Sequence, residues 1–171
     1  MPFSVLRYKS LLSKTELALT SEEKGRALED VTEYLLSLLR GVEIVERDKL
    51  CDSEELDFVL WNSRLEEVLR PWEFIILVEC KNWSGPVGAS ELDLFVSKLR
   101  RRGLKSGIFI ASNGVTGDFE TGAKGIIKAT LAEGIRVIVV TRADLELIGG
   151  SDDLCMLIKR RYCRLFVHKI I

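Results

Sequence analysis

The 171-residue chain has few of the side chains on which many catalytic sites depend. It contains one histidine, His168, and four cysteines that form no CxxC pair. A histidine-based active site therefore has little to draw on, and the cysteine spacing disfavours a zinc cluster. Unpaired thiols are typical of a reducing cytosol, so we expect a cytoplasmic protein. Any active site should then consist mainly of carboxylates and lysines.

Long apolar runs and a net charge are also lacking. The longest apolar runs, at 74–78 and 137–140, are far shorter than the about 20 residues that cross a bilayer. The start, MPFSVLRYKSLL, has no long hydrophobic core and no small-residue cleavage site, so we expect neither a signal peptide nor a membrane association. Twenty-five Lys and Arg against 26 Asp and Glu argue against a protein that coats nucleic acid through a broad positive excess.

No repeat and no linker rich in Pro, Gly and Ser divides the chain. Its length suits one compact domain, and 47% hydrophobic residues are ordinary for a globular protein. We therefore expect a single domain over 1–171, with a core at about 21–148 and a C-terminal helical extension at 151–171.

Hydrophobic periodicity predicts the order of helices and strands. A capping box at Thr20 and Glu23 starts a helix that we expect to end at Gly41, whereas residues 1–20 are either a short helix or a strand. Further helices are predicted at 90–102, 118–133, 142–148 and from 151, and strands at 42–47, 55–61, 74–81, 106–111 and 135–141. Strand-helix-strand order with such apolar strands implies parallel pairing, and hence an α/β fold with a mixed central sheet and helices on both faces.

Charged residues end one of the apolar strands, at Glu79-Cys80-Lys81. Because side chains alternate along a strand, Glu79 and Lys81 share one face while Cys80 points to the other. Burying a carboxylate costs roughly several kcal/mol unless the carboxylate is paired with a cation or binds a metal. The segment is therefore either a structural ion pair at the exposed end of a strand or part of a site.

Asp57 lies between Leu56 and Phe58 on the preceding strand, and an antiparallel partner would bring it across from Glu79. Two carboxylates with a lysine beside them are hard oxygen ligands suited to Mg²⁺, with the backbone carbonyl of Cys80 as a further ligand. Lys81 would orient or help to deprotonate a water molecule, or neutralise charge in the transition state. The alternative for Asp57 is an ordinary charge at a strand edge.

Glu29 follows Leu28 on the first predicted helix, beside its apolar stripe and near the border with the sheet. It is either a fourth member of the site or a solvated helix residue. Glu33, one turn further on, competes for the same role.

In their order, the segments GRALEDVTEYLL, LDFVL and ILVECKNW resemble the PD-(D/E)XK nuclease superfamily, and are most similar to Mrr-like restriction endonuclease catalytic domains. GIFIASNGVTGDF and VIVVTRADLELI extend the resemblance over residues 21–148. It implies a restriction-endonuclease-like three-layer α/β/α fold with an αβββαβαβ core and a Mg²⁺- or Mn²⁺-dependent cleavage of DNA. The implied catalytic residues are Glu29, Asp57, Glu79 and Lys81, with Asp57, Glu79 and Cys80 at the metal.

Two basic stretches, at 98–105 and 159–169, each hold five cationic residues and no acidic one. They either contact phosphates at the rim of the site or are solvated helix ends. Trp83 directly follows the predicted catalytic strand and either borders DNA or covers the core. The candidate DNA contacts are Trp83, Lys98, Arg100, Arg101, Arg102 and Lys105.

The leading hypothesis is a Mg²⁺-dependent DNA endonuclease of restriction, phage defence or DNA processing. The alternative is a nuclease-fold module that binds nucleic acid or a protein and cuts little. Related restriction enzymes usually carry a separate DNA-reading domain, and residues 1–20 are too short for one, so specificity would come from a protein partner or from DNA structure. The last helix either forms a homodimer through Leu154, Ile158 and Leu165 or packs on the sheet.

Overall fold

A computed structural model of the chain describes residues 2–51, 54–117 and 122–167. Its helices are α1 (Val5–Leu17), α2 (Ser21–Leu36), α3 (Ala89–Arg101), α4 (Gly122–Ala132), α5 (Arg142–Glu146) and α6 (Ser151–Val167), with a short 3₁₀ helix at Glu67–Leu69. Its strands are β1 (Val42–Cys51), β2 (Glu54–Asn62), β3 (Ile75–Lys81), β4 (Ser106–Ala111) and β5 (Arg136–Val140). None of the described helices is long and apolar enough to cross a membrane.

The five strands form one mixed sheet in the order β1-β2-β3-β4-β5. The β1–β2 and β2–β3 pairs are antiparallel, and the β3–β4 and β4–β5 pairs are parallel. The predicted α/β fold and its αβββαβαβ order are therefore confirmed. The parallel strands read as continuous apolar runs because both of their faces are buried.

Helices cover both faces of the sheet. On one face, Thr32 of α2 contacts Cys80 of β3, with 3.4 Å between Oγ1 and Sγ. On the other face, Phe95 of α3 packs against Phe109 of β4 with ring centroids 5.5 Å apart. Gly107 of β4 also faces α3, because a Cβ there would lie 2.8 Å from the Phe95 ring.

Several predicted boundaries change. The capping box of α2 is confirmed, but the helix ends at Leu36 and a turn leads to Gly41, whose φ of +71° favours glycine. Strand β1 extends to Cys51 rather than Arg47, because residues 49–51 continue to pair with β2. The four consecutive charged residues at 46–49, with a left-handed Asp48 among them, gave no strand pattern in the sequence. The predicted helix start at 118 lies outside the described residues, as do His168 and Lys169.

The two ends of the chain pack on this core. Residues 5–17 are a helix, α1, held to α2 by stacking of Tyr8 on Tyr34. The last helix, α6, packs on the core of its own chain. The three apolar side chains considered for a homodimer contact are buried there: Leu154, Ile158 and Leu165. The predicted domain limits of 1–171 stay a prediction.

Candidate active site

Asp57 and Glu79 lie opposite each other where β2 and β3 separate. The paired residues of these strands run from Trp61 with Ile75 to Phe58 with Val78, so the next position along the register sets Asp57 across from Glu79. Both carboxylates are buried, with 7% and 5% of the residue surface exposed. The two carboxylates thus share the α3-facing side of the sheet.

Each oxygen of Glu79 contacts a lysine. Oε1 is 2.7 Å from Nζ of Lys81, and Oε2 is 2.8 Å from Nζ of Lys98. Burial tends to lower the pKa of Lys81, but the Glu79 carboxylate raises it above its ordinary value on balance. Lys81 is therefore a cation at neutral pH and not a free base.

Asp57 is held by the backbone of the neighbouring strand. Its Oδ2 accepts a 2.6 Å hydrogen bond from the Cys80 backbone N–H, and no described residue donates a hydrogen bond to Oδ1. Burial and then the charge of Glu79 raise the pKa of Asp57 to about 6, against the opposing effects of that hydrogen bond, Lys81 and Lys98. Asp57 therefore carries a desolvated charge with one oxygen available.

Of the two candidate glutamates on α2, Glu29 is the one that reaches the site. It lines the same cleft as Asp57, and its side chain is 14% exposed against 48% for Glu33. Burial raises the pKa of Glu29 to about 7, and a hydrogen bond with Asp48 and the charge of Asp57 add to the rise. Arg47 contacts both glutamates and opposes the rise in the pKa of Glu29, but Glu33 does not border the cleft.

The side chain of Cys80 turns away from Asp57 and toward α2, where burial raises the pKa of its thiol well above the usual range. Since Cys80 also borders the cleft, its backbone carbonyl is the group that fits the predicted role at a metal.

A cleft of about 460 Å³ opens over Asp57 and Lys81. Glu29 and the first turns of α2 form one wall, and the loop from Asn82 to Pro86 forms the other. A shallower depression of about 260 Å³ shares Lys24, Asn82, Trp83 and Ser84 with it. Trp83 is 45% exposed and lines both, so it does not serve only to cover the core.

The five cationic side chains of the basic stretch at 98–105 contact other residues of the protein and do not form a free cationic rim. Lys98 points inward to Glu79. Arg100 donates two hydrogen bonds, of 2.9 and 2.8 Å, to Glu133. Acidic or carbonyl partners also hold the remaining three: Arg101 and Arg102 contact Glu54, and Lys105 contacts the Glu133 carbonyl. Their part in binding DNA stays a prediction.

The carboxylates of Asp57, Glu79 and Glu29 and a nearby carbonyl fit the hard oxygen ligands that Mg²⁺ or Mn²⁺ prefers. Asp57 borders the cleft, and its Oδ1 accepts no hydrogen bond from a described residue. As the side chains lie, however, no three Asp, Glu, His or Cys groups among the described residues are close enough to hold an ion. Lysines occupy both oxygens of Glu79 in this arrangement.

The sequence did not predict the positions of three residues of this region: Lys98, Asp48 and Asn82. Lys98 was assigned to the rim, although its place beside Phe95 and Leu99 on an amphipathic helix was a signal that it faces inward. Asp48 and Asn82 gave no local signal. Asn82 ties the end of β3 to its neighbours by donating to the Lys24 carbonyl at 2.9 Å and accepting from Ser112 at 2.7 Å.

The chain is similar to proteins of a known family. The Mrr_cat restriction endonuclease family model matches residues 20–146. None of the curated proteins compared with the chain matches it. The structure of Pyrococcus furiosus SfsA in complex with Ca²⁺ is similar, with 21% sequence identity and a TM-score of 0.38, over 68% of this chain and 55% of that chain. The family match covers most of the chain and all four carboxylate and lysine positions, and the protein belongs to the Mrr-type restriction endonuclease family of the PD-(D/E)XK nuclease superfamily.

Proposed function

We propose that the protein is a DNA endonuclease that hydrolyses phosphodiester bonds with Mg²⁺ or Mn²⁺. The observation that carries the proposal is the meeting of Asp57, Glu79 and Lys81 where β2 and β3 separate, beside an open cleft. Membership of a restriction endonuclease family supports restriction, phage defence or DNA processing as the setting.

The residues of the site would have three roles: holding a metal ion, binding a phosphate and accepting a proton. Asp57 and Glu79 would hold the divalent cation, with the Cys80 carbonyl beside them. Such a cation supplies charge neutralisation at a phosphate and a more acidic bound water. Lys81 would donate hydrogen bonds to a phosphate oxygen and offset the negative charge of the transition state. Glu29, whose pKa is raised to about 7, would take up a proton near neutral pH.

The shape of the site supports a polymeric substrate. The cleft and the adjoining depression are both open, and Trp83 and Lys24 lie where they meet. Lys24 forms no ion pair with any residue in the described parts of the chain, so its ammonium is available to a backbone phosphate. Target specificity would come from a protein partner or from DNA structure.

A second candidate is a nuclease-fold module that binds DNA and cuts little. The two lysines on Glu79 favour it, because a cation must displace one of them before Glu79 can act as a ligand. The two candidates differ in turnover and not in binding.

Incubation with supercoiled, linear and branched DNA in Mg²⁺ or Mn²⁺ separates these candidates. The endonuclease proposal expects cleavage by the wild type that EDTA abolishes and that Asp57→Ala and Lys81→Ala lose. Equal low background in all three proteins would contradict it. Retained DNA binding without cleavage would favour the binding module.

A further inference from the structure

Side chains join β2 and β3 beyond the point where their backbone pairing ends. The last backbone pair is Phe58 with Val78. Past it, the Cys80 N–H donates to the Asp57 side chain, so the usual backbone acceptor is replaced by a carboxylate. The two strands separate here, and the separation makes room for the site.

Lys98, on α3, bridges the two strands where they separate. Its Nζ donates to Oε2 of Glu79 at 2.8 Å and to the backbone carbonyl of Glu55 at 2.7 Å. Glu55 lies on β2 and Glu79 on β3, so one ammonium group connects both strands. The Lys98 side chain is 13% exposed, so most of its surface is covered by the protein.

The two lysines on Glu79 are not equivalent. Lys81 is 26% exposed, borders the cleft, and contacts Oε1. Lys98 is more buried, contacts Oε2, and has a second anchor at the Glu55 carbonyl. A cation that approaches Glu79 from the cleft would therefore displace Lys81 and leave Lys98 in place.

We propose that Lys98 is a positioning residue that fixes Glu79 and compensates its charge, so that Lys81 is free to leave Oε1 for the phosphodiester. This inference rests on the proposed function. A buried carboxylate without a partner costs roughly several kcal/mol. Without Lys98, Glu79 could therefore not release Lys81 without a large loss of stability. With Lys98 on Oε2, Glu79 keeps its orientation and a cationic neighbour throughout.

Four variants test the assignment by Mg²⁺ titration calorimetry without DNA and by cleavage at saturating Mg²⁺. Lys98→Met removes the ammonium but keeps the length of the side chain, Lys98→Arg restores the charge, and Lys81→Met removes the other lysine. Lys128→Met is the matched control, because Lys128 is exposed on α4. Circular dichroism establishes folding, and Lys98→Gln replaces Lys98→Met if the latter unfolds.

The expected result separates the two lysines. Lys98→Met should weaken Mg²⁺ binding by about tenfold, equal to about 1.4 kcal/mol, and Lys98→Arg should recover most of it. Lys81→Met should bind Mg²⁺ at least as tightly as the wild type and yet cut far more slowly. Lys128→Met should match the wild type in both assays.

Unchanged or tighter Mg²⁺ binding by folded Lys98→Met would overturn the positioning role, because it would make Lys98 a competitor of the metal. So would a failure of Lys98→Arg to recover binding. A wild type that neither binds Mg²⁺ nor cuts DNA would instead overturn the proposed function, and the inference with it.

Discussion

The backbone N–H of Cys80 donates a 2.6 Å hydrogen bond to Oδ2 of Asp57. This contact crosses from β3 to β2 at the first position where the two strands are no longer paired through their backbones. It leaves Oδ1 of Asp57 without a donor among the described residues, at the edge of the cleft that Lys81 also borders. The same carboxylate thus joins β2 to β3 through one oxygen, and its other oxygen is not engaged by any described residue.

Replacing Lys81 by Met should slow DNA cleavage by about 100-fold or more, because one preorganised donor to a developing anion contributes on the order of that factor. DNA binding should change much less. Initial rates of supercoiled-plasmid nicking and a filter-binding assay measure the two effects. Cleavage at the wild-type rate would show that the Lys81 ammonium does not act on the phosphate.

Asp57 should make the metal-free protein less stable as the pH rises. Its pKa is raised to about 6 in the folded protein, from an ordinary value of 3.8. Between these values the folded state binds more protons than the unfolded state, so the free energy of unfolding falls as the pH rises through this window. The loss attributable to Asp57 is at most about 3 kcal/mol.

Asp57→Asn should remove this part of the pH dependence while its side-chain carbonyl still accepts the Cys80 N–H. In urea denaturation with EDTA, we expect the variant to be more stable than the wild type at pH 7 and to differ less from it at pH 4.5. A variant that is less stable than the wild type at pH 7 would contradict this account. Saturating Mg²⁺ should stabilise the wild type and not the variant.

Arg47→Met should destabilise the fold by about 1 kcal/mol, because it removes a guanidinium that is 26% exposed and leaves Glu29, 14% exposed, without this cation, whereas the other three acidic partners are nearly half exposed. Arg47 contacts four acidic side chains and lies over the Phe58 ring, 5.7 Å from its centroid; the four are Glu29, Asp30, Glu33 and Asp48.

Arg26→Met is the control for Arg47→Met. Its pair with Glu22 is within one helix and 72% and 74% exposed, so its loss should cost less than about 0.5 kcal/mol. Equal midpoints of urea denaturation for the two variants would contradict the structural role of Arg47.

Gly107→Ala should destabilise the protein by about 1–3 kcal/mol, since an added Cβ would meet two ring atoms of Phe95 and a methyl of Leu99 at 2.8–3.0 Å. Gly150→Ala adds a Cβ with nothing within 4 Å and should be nearly neutral. Thermal midpoints of both variants measure the difference. A nearly neutral Gly107→Ala would show that α3 shifts easily on the sheet.

Local features of the sequence were enough to predict the order of the main strands and helices from residue 21 onward, and the antiparallel pairing that would bring Asp57 opposite Glu79. The capping box at Thr20 and Glu23 involves groups three residues apart, and the apolar run of β3 reports burial on both faces. Both signals are contained in a short segment, so they survive without knowledge of the rest of the chain. The second half of β1 has no clear hydrophobic pattern, and its end was predicted too early in the chain.

Tertiary structure alone decided which charges belong to the site. Glu29 and Glu33 are glutamates one helical turn apart, and Arg47 on β1 contacts both of them. Only Glu29 is largely buried and borders the cleft. Lys98 was one cation in a basic run until the packing of α3 set it against Glu79. The physical reason is that a charge acts through its nearest partners, and those partners come from segments that are distant in the chain.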